Sequence, residues 1–276
     1  MAFVNVPGGS IHYEVAGSSG DPTVLVHGSW VDGRTWGRLL PLLAPALSMV
    51  AYDRRGHGES TGPPRAHPVR DDAEDLARLL EGVDQYPAHV IAHSYGGAVA
   101  FRLALDRPEM VRSLAVHEPP FLGLVDRPGE LAEAAAVVAP EIERLRQRVR
   151  AGDREGAAHA FLERFGVTPG AWERLAPSVR AGWVRNADRW AEEFGDPQAR
   201  GPTRAELAEL DLPVLVTTGD ASPGILRGIA EELGRALRNA TVRTLPGAGH
   251  VPHLTHPEAY AGALVTFLLE RDVPST

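Results

Sequence analysis

Short runs of apolar and β-branched residues alternate with longer stretches of helical spacing along most of this chain. Ala2–Val6 and Ser10–Val15 flank a Pro-Gly-Gly turn and read as a hairpin. Thr23–Val26, Met49–Tyr52, His89–Ala92 and Ser113–Val116 read as short buried strands, with helices over Asp71–Leu80 and Ala98–Leu105 between them. From about Phe121 to Leu210 the rhythm breaks. Helical spacing appears at Glu130–Val149, Arg154–Phe165 and Ala181–Phe194, no strand stands out, and Pro140, Gly152, Pro169, Pro177 and Pro197 punctuate the joins. The alternation then returns with a strand at Pro213–Thr217, a helix at Gly224–Leu237, a strand at Thr241–Leu245 and a helix at Pro257–Arg271. This order predicts an α/β fold: a mainly parallel central sheet with flanking helices, interrupted by a helical cap over the strands' carboxyl ends. The expected layout is a first core part over 1–120, a cap over 121–210 and a second core part over 211–276.

Composition narrows the chemistry. The 276 residues suffice for one α/β domain carrying an insertion. The net charge of −8 argues against nucleic-acid binding and against attraction to an anionic membrane. All 28 basic residues are Arg, which removes Schiff-base chemistry, and the absence of Cys removes thiolate nucleophiles, disulfides and Cys-ligated metals. The amino terminus lacks a basic region followed by an apolar run, and no stretch has the length of a membrane span, so a cytoplasmic protein is expected. A homodimer is kept open as its assembly.

The strongest chemical signal is Ala92-His93-Ser94-Tyr95-Gly96-Gly97, between a buried strand and a helix. Such a tight strand-to-helix turn strains its central residue and needs small neighbours two positions to either side. Gly96 is one and Ala92 the other, where the usual pattern has Gly. The turn would lift the Ser94 hydroxyl to a helix N-terminus, where developing negative charge is favoured. Ser94 could otherwise be a plain helix cap. A serine nucleophile needs a base, and His250, in the Gly-rich loop after the last strand, can supply it. His253 and His256 follow closely; they read as supporting residues, since the loop lacks the acidic partners a metal site needs. An oxyanion hole would use the Tyr95 N–H and the Ser29 N–H, with Gly28 allowing close approach.

Together His27-Gly28, Asp53-Arg54-Arg55-Gly56-His57-Gly58-Glu59-Ser60, the Ser94 turn and Gly249-His250 resemble the α/β-hydrolase superfamily over nearly the whole chain. The resemblance implies a triad. Its acid commonly lies in the loop after the seventh strand, but here that loop reads Gly219-Asp220-Ala221-Ser222-Pro223, with Ser222 at the expected position and Asp220 out of register. Glu118, directly after the sixth strand in His117-Glu118-Pro119-Pro120, is the favoured acid, and Asp220 is the alternative. The Glu118 segment is similar to that of fungal zearalenone lactonases, in which a Glu in this setting serves as the acid. The expected reaction is ester or lactone hydrolysis through a Ser94 acyl-enzyme, on a small apolar substrate, without cofactor or metal. A thioesterase, carbon–carbon hydrolase, cofactor-free perhydrolase or cyclase activity at the same site, or a non-catalytic binding role, stands as the alternative. Trp183 and Trp190 lie seven apart on one helical face; Trp183, together with Trp30, is expected to touch substrate, whereas Trp172 and Trp190 read equally well as cap core.

Overall fold

The computed structural model describes residues 2–62, 68–165 and 170–269. Eight strands form one sheet: β1 (Ala2–Val6), β2 (Gly9–Ala16), β3 (Asp21–Val26), β4 (Leu47–Tyr52), β5 (Ala88–His93), β6 (Val111–His117), β7 (Val214–Gly219) and β8 (Ala240–Leu245). Their order is β1-β2-β4-β3-β5-β6-β7-β8. β1 and β2 pair antiparallel, as does β2 with β4, and every pairing from β4 to β8 is parallel. The helices are α1 (Leu40–Leu43), α2 (Val69–Gly82), α3 (Tyr95–Asp106), α4 (Glu130–Arg150), α5 (Arg154–Phe165), α6 (Ala171–Arg174), α7 (Pro177–Glu193), α8 (Arg204–Glu209), α9 (Gly224–Ala236), α10 (Pro252–Thr255) and α11 (Pro257–Leu269). Pro169 and the expected end of the last helix at Arg271 lie outside the described residues.

The period-2 alternation of the strands assigns each residue to one of two cores. Val24, Val26, Val90, Ala92, Leu114 and Val116 face α2, α3 and the cap. Leu25, Ile91, Ala115 and Leu215 face the opposite layer, with Leu264 and Phe267 of α11. Burial on both faces is why the central strands read as continuous apolar runs. Between β6 and β7 the described residues hold helices and no strand; α4, α5 and α7 pack on one another and α4 also on α9. The helical insert between β6 and β7 is referred to as the cap. Pro140 does not mark a join as expected but lies inside α4. A mid-helix proline forfeits a hydrogen bond and clashes with the preceding turn, at about 3 kcal/mol. The buried stripe Val138, Ile142, Leu145 and Val149 outweighs that cost.

Candidate active site

Ser94 sits at the carboxyl end of β5, flanked by β3 and β6 near the middle of the sheet. Its φ of 54° and ψ of −124° make it one of the few non-glycine residues in the positive-φ region. Ordinary residues avoid that region, and it persists only where the surroundings enforce it. Here the Ser94 N–H donates to the His117 carbonyl at 2.9 Å, and the Gly97 N–H donates to the Ser94 carbonyl at 2.8 Å. A Cβ on Gly96 would lie 2.4 Å from the Val26 carbonyl oxygen, so glycine is required there. Ala92 is fully buried in the sheet, and its methyl packs in the core without displacing the turn. Tyr95 opens α3, so its N–H has no partner within the helix.

The loop after β3 lies against this turn. A Cβ on Gly28 would fall 2.9 Å from His93 Nδ1 and 3.2 Å from Ser94 Cβ, so glycine leaves the room that these two side chains fill. Ser29 follows and is buried.

His250 lies in the loop after β8. Its Nδ1 is 2.8 Å from Glu118 Oε2, so Nδ1–H donates to the carboxylate and Nε2 is the nitrogen outside that bond. Glu118 follows β6 with a φ of 45°, and its N–H donates to the Thr217 carbonyl at 3.2 Å. Its other oxygen, Oε1, accepts from the Thr218 hydroxyl at 2.6 Å and from the Gly219 N–H at 2.9 Å. Burial pushes the Glu118 carboxyl up, but its neighbours outweigh burial and hold it well below the usual carboxylate range. His117 is driven down to about 4 by burial and is uncharged at neutral pH. At neutral pH the donors from His250, Thr218 and Gly219 therefore keep Glu118 ionised, and the charge on His117 lowers it further once that ring protonates. His117, Glu118 and His250 converge closely enough to resemble a metal cluster. The hydrogen bonds already occupy both carboxylate oxygens and His250 Nδ1, so the donor set fits a proton relay better than an ion.

Asp220, the alternative acid, is exposed and accepts from the Gly247 N–H at 2.7 Å. It staples the β7 loop to the His250 loop and leaves His250 Nδ1 to Glu118. Sequence reasoning passed over His93. It is buried, and its Nε2–H donates to the His250 carbonyl at 2.7 Å, which fixes the backbone carrying His250. Its position beside Ser94 in the chain was the one available signal. His253 is buried, 2.9 Å from the Thr35 hydroxyl and packed on Trp36. His256 bonds locally to Thr255.

Ser94 and His250 open onto one cavity of roughly 470 Å³, counting the solvent at its mouth. Every other lining side chain is apolar; Ile142, Phe161 and Phe194 come from the cap side, and Ile225, Leu226 and Ile229 from α9. Trp30 and Trp183, expected at the substrate, do not border it. Trp30 stacks on Trp183 at 5.4 Å and on Trp190 at 4.8 Å, with Phe161 at 5.2 Å. The shared face of Trp183 and Trp190 thus grips the loop after β3 and joins cap to core.

With this geometry in place, the chain can be set beside known proteins. Residues 23–263 match the Alpha/beta hydrolase family, and the protein belongs to that family and is a hydrolase. It is 28% identical over 232 residues to an sn-1-specific diacylglycerol lipase of Mus musculus, covering 80% of this chain and 71% of the relative. It is equally 28% identical, over 284 residues, to a haloalkane dehalogenase of Bradyrhizobium diazoefficiens, covering 92% and 89%. Among solved structures it is similar to an alpha/beta hydrolase from Sphaerobacter thermophilus, with a TM-score of 0.74 and 29% identity over 96% of this chain and 99% of the other. Relatives at this distance carry different activities, so the reaction must be argued from the site.

Proposed function

We propose that this protein is a serine hydrolase that cleaves an apolar carboxylic ester or lactone through a Ser94 acyl-enzyme. The observation that carries the reading is the buried Glu118–His250 hydrogen bond beside a serine held at positive φ on a helix N-terminus. In this reading His250 Nε2 takes the Ser94 proton as the hydroxyl oxygen attacks the carbonyl carbon. The negative charge that forms on the carbonyl oxygen is met by the N–H groups of Tyr95 and Ser29. Glu118 stays ionised, orients the ring and stabilises the imidazolium. The imidazolium then protonates the leaving alcohol. Water, deprotonated by His250, attacks the acyl-enzyme, the bond to the Ser94 oxygen breaks, the imidazolium returns the proton to that oxygen, and the acid is released.

The apolar cavity supports a neutral acyl group, because burying a charge there without a partner would cost several kcal/mol. The dehalogenase relative does not redirect the reading. An intermediate alkylated on a carboxylate needs Asp or Glu at the nucleophile position, and this chain has Ser94. The test is a screen of p-nitrophenyl esters, lactones and thioesters beside Ser94→Ala, with fluorophosphonate labelling of the intact protein. Hydrolysis and labelling that both vanish in Ser94→Ala support the reading. Activity on thioesters alone would move the substrate class, and a folded protein that neither labels nor turns over would point to a binding role.

A further inference from the structure

Beneath the loop after β3 lies a buried charged cluster that the triad does not use. The Arg54 side chain is wholly buried, and its guanidinium makes four hydrogen bonds to oxygen atoms. Nη1 donates to Asp72 at 3.0 Å, Nε to the His27 carbonyl at 3.2 Å, and Nη2 both to the Gly28 carbonyl at 3.2 Å and to Glu193 at 2.6 Å. Its Cζ also sits 4.7 Å over the Tyr95 ring. Glu193 is the last residue of α7, so a cap helix supplies one of the two carboxylates that hold this guanidinium. Burial works against the charge on both Arg54 and Glu193, and their attraction outweighs it.

Peptide geometry gives this cluster a task. The Gly28 carbonyl and the Ser29 N–H belong to one planar trans peptide, so they point in opposite directions. The Arg54 N–H donates to His27 Nε2 at 2.9 Å, which leaves the ring proton on Nδ1, and Nδ1–H donates to the Gly28 carbonyl at 2.7 Å. Two donors, one of them charged, thus fix the orientation of that carbonyl. The Ser29 N–H, on the same rigid peptide, is held with it and polarised as a donor. The next two peptides are held by the same region. His57 Nε2, beside Glu193, bonds the Ser29 carbonyl at 2.9 Å, and Asn186, two turns before Glu193 on α7, donates to the Trp30 carbonyl at 3.0 Å.

We infer that Glu193 and Asn186 of the cap are positioning residues for the oxyanion hole, acting through Arg54 and the Gly28–Val31 backbone, so that a cap helix sets the aim of a transition-state donor in the core. This inference rests on the Ser94 hydrolase reading above. It implies that a cap shifted or removed lowers turnover as well as altering substrate choice.

The test uses the full-length protein and the best ester from the screen. Glu193→Gln keeps the shape of the side chain and removes its charge. Losing one oxyanion donor costs about 100- to 1000-fold in kcat, so a misaimed donor is expected to cost about 10- to 100-fold. KM should change by less than about threefold. Inhibition by an alkyl boronic acid, whose tetrahedral adduct on serine places an oxygen in the hole, should weaken by the same factor as kcat. Glu193→Asp, with the charge retained, should recover part of the loss. Asn186→Ala is expected to act in the same direction, about three- to tenfold, and carries the test should Glu193→Gln not fold. A folded variant with wild-type kcat and wild-type boronate affinity, or one that loses only thermal stability, overturns the inference while Ser94→Ala still abolishes activity. If Ser94→Ala retains activity, it is the hydrolase reading that fails.

Discussion

Acidification should unfold this protein above the ordinary carboxylate range, because its interior holds uncharged histidines. Burial drives His57 and His117 down to about 4 and His253 to about 3, from an ordinary value of 6.5. His27 and His93 are pushed the same way, again by burial first. Between pH 6.5 and about 4 these rings stay neutral in the folded chain and protonate in the unfolded one. The unfolded state then binds more protons, and stability falls as pH falls. Each such ring contributes about 1.4 kcal/mol per pH unit. The three rings with stated values give about 4 kcal/mol per unit. Asp72, pushed up to about 6 by burial, is protonated only in the folded state over most of this range and offsets about 1.4 of it. The net is on the order of 3 kcal/mol per pH unit, with His27 and His93 adding to it. Below about 4.5 Glu118 adds a further loss, since its folded value is depressed. Against a typical total of about 5–15 kcal/mol, that slope brings unfolding by about pH 5. Urea unfolding followed by tryptophan fluorescence at pH 7.5, 6.5, 5.5 and 5.0 measures it. His253→Gln, which removes one titrating ring, should flatten the slope by about 1.4 kcal/mol per unit. A stability unchanged between pH 7 and 5 would refute the reasoning.

Three other outcomes are expected. Glu118→Gln should lower kcat by about 1000- to 10,000-fold, as removal of a triad acid's charge does, while Asp220→Asn stays within a fewfold of wild type in the same ester assay. Trp30→Ala should lose about 3–5 kcal/mol of stability in urea titration, by opening a cavity in the Trp30–Trp183–Trp190 stack, rather than acting first on KM. Leu226→Trp should narrow the cavity, so kcat/KM falls at least tenfold for long acyl esters and little for acetates; an unchanged chain-length profile would remove Leu226 from the substrate's path.

What could be read in the sequence was what is encoded locally. The buried strands announce themselves by unbroken apolar runs, and the turn around Ser94 by a steric demand that Gly96 and Ala92 meet within five residues. Glu118 was legible through register: it follows its strand at once, and the Asp expected after β7 is missing. The part that stayed hidden depends on partners far apart in the chain. Trp183 and Trp190 declare a shared helical face, but spacing cannot say what that face meets, and in the structure Trp30 stacks on it. Arg54 and Glu193 are 139 residues apart, and neither stands out among the chain's many charges. Pro140 reads as a break by propensity although the helical spacing of Glu130–Val149 runs across it, and the packing of α4 on its neighbours settles for the helix.

In the proposed reading the relay's carboxylate is Glu118, which leaves the β7–α9 connection without chemical duty. Asp220 there serves as a staple, and the helix that follows turns Ile225, Leu226 and Ile229 toward the cavity. Selectivity and reactivity are thereby carried on separate stretches of chain. For an engineer, α9 is a module: its inward positions can be randomised, or the helix exchanged with that of a relative, without disturbing the proton path. In folds where the acid sits in that same loop, each such change puts the triad at risk.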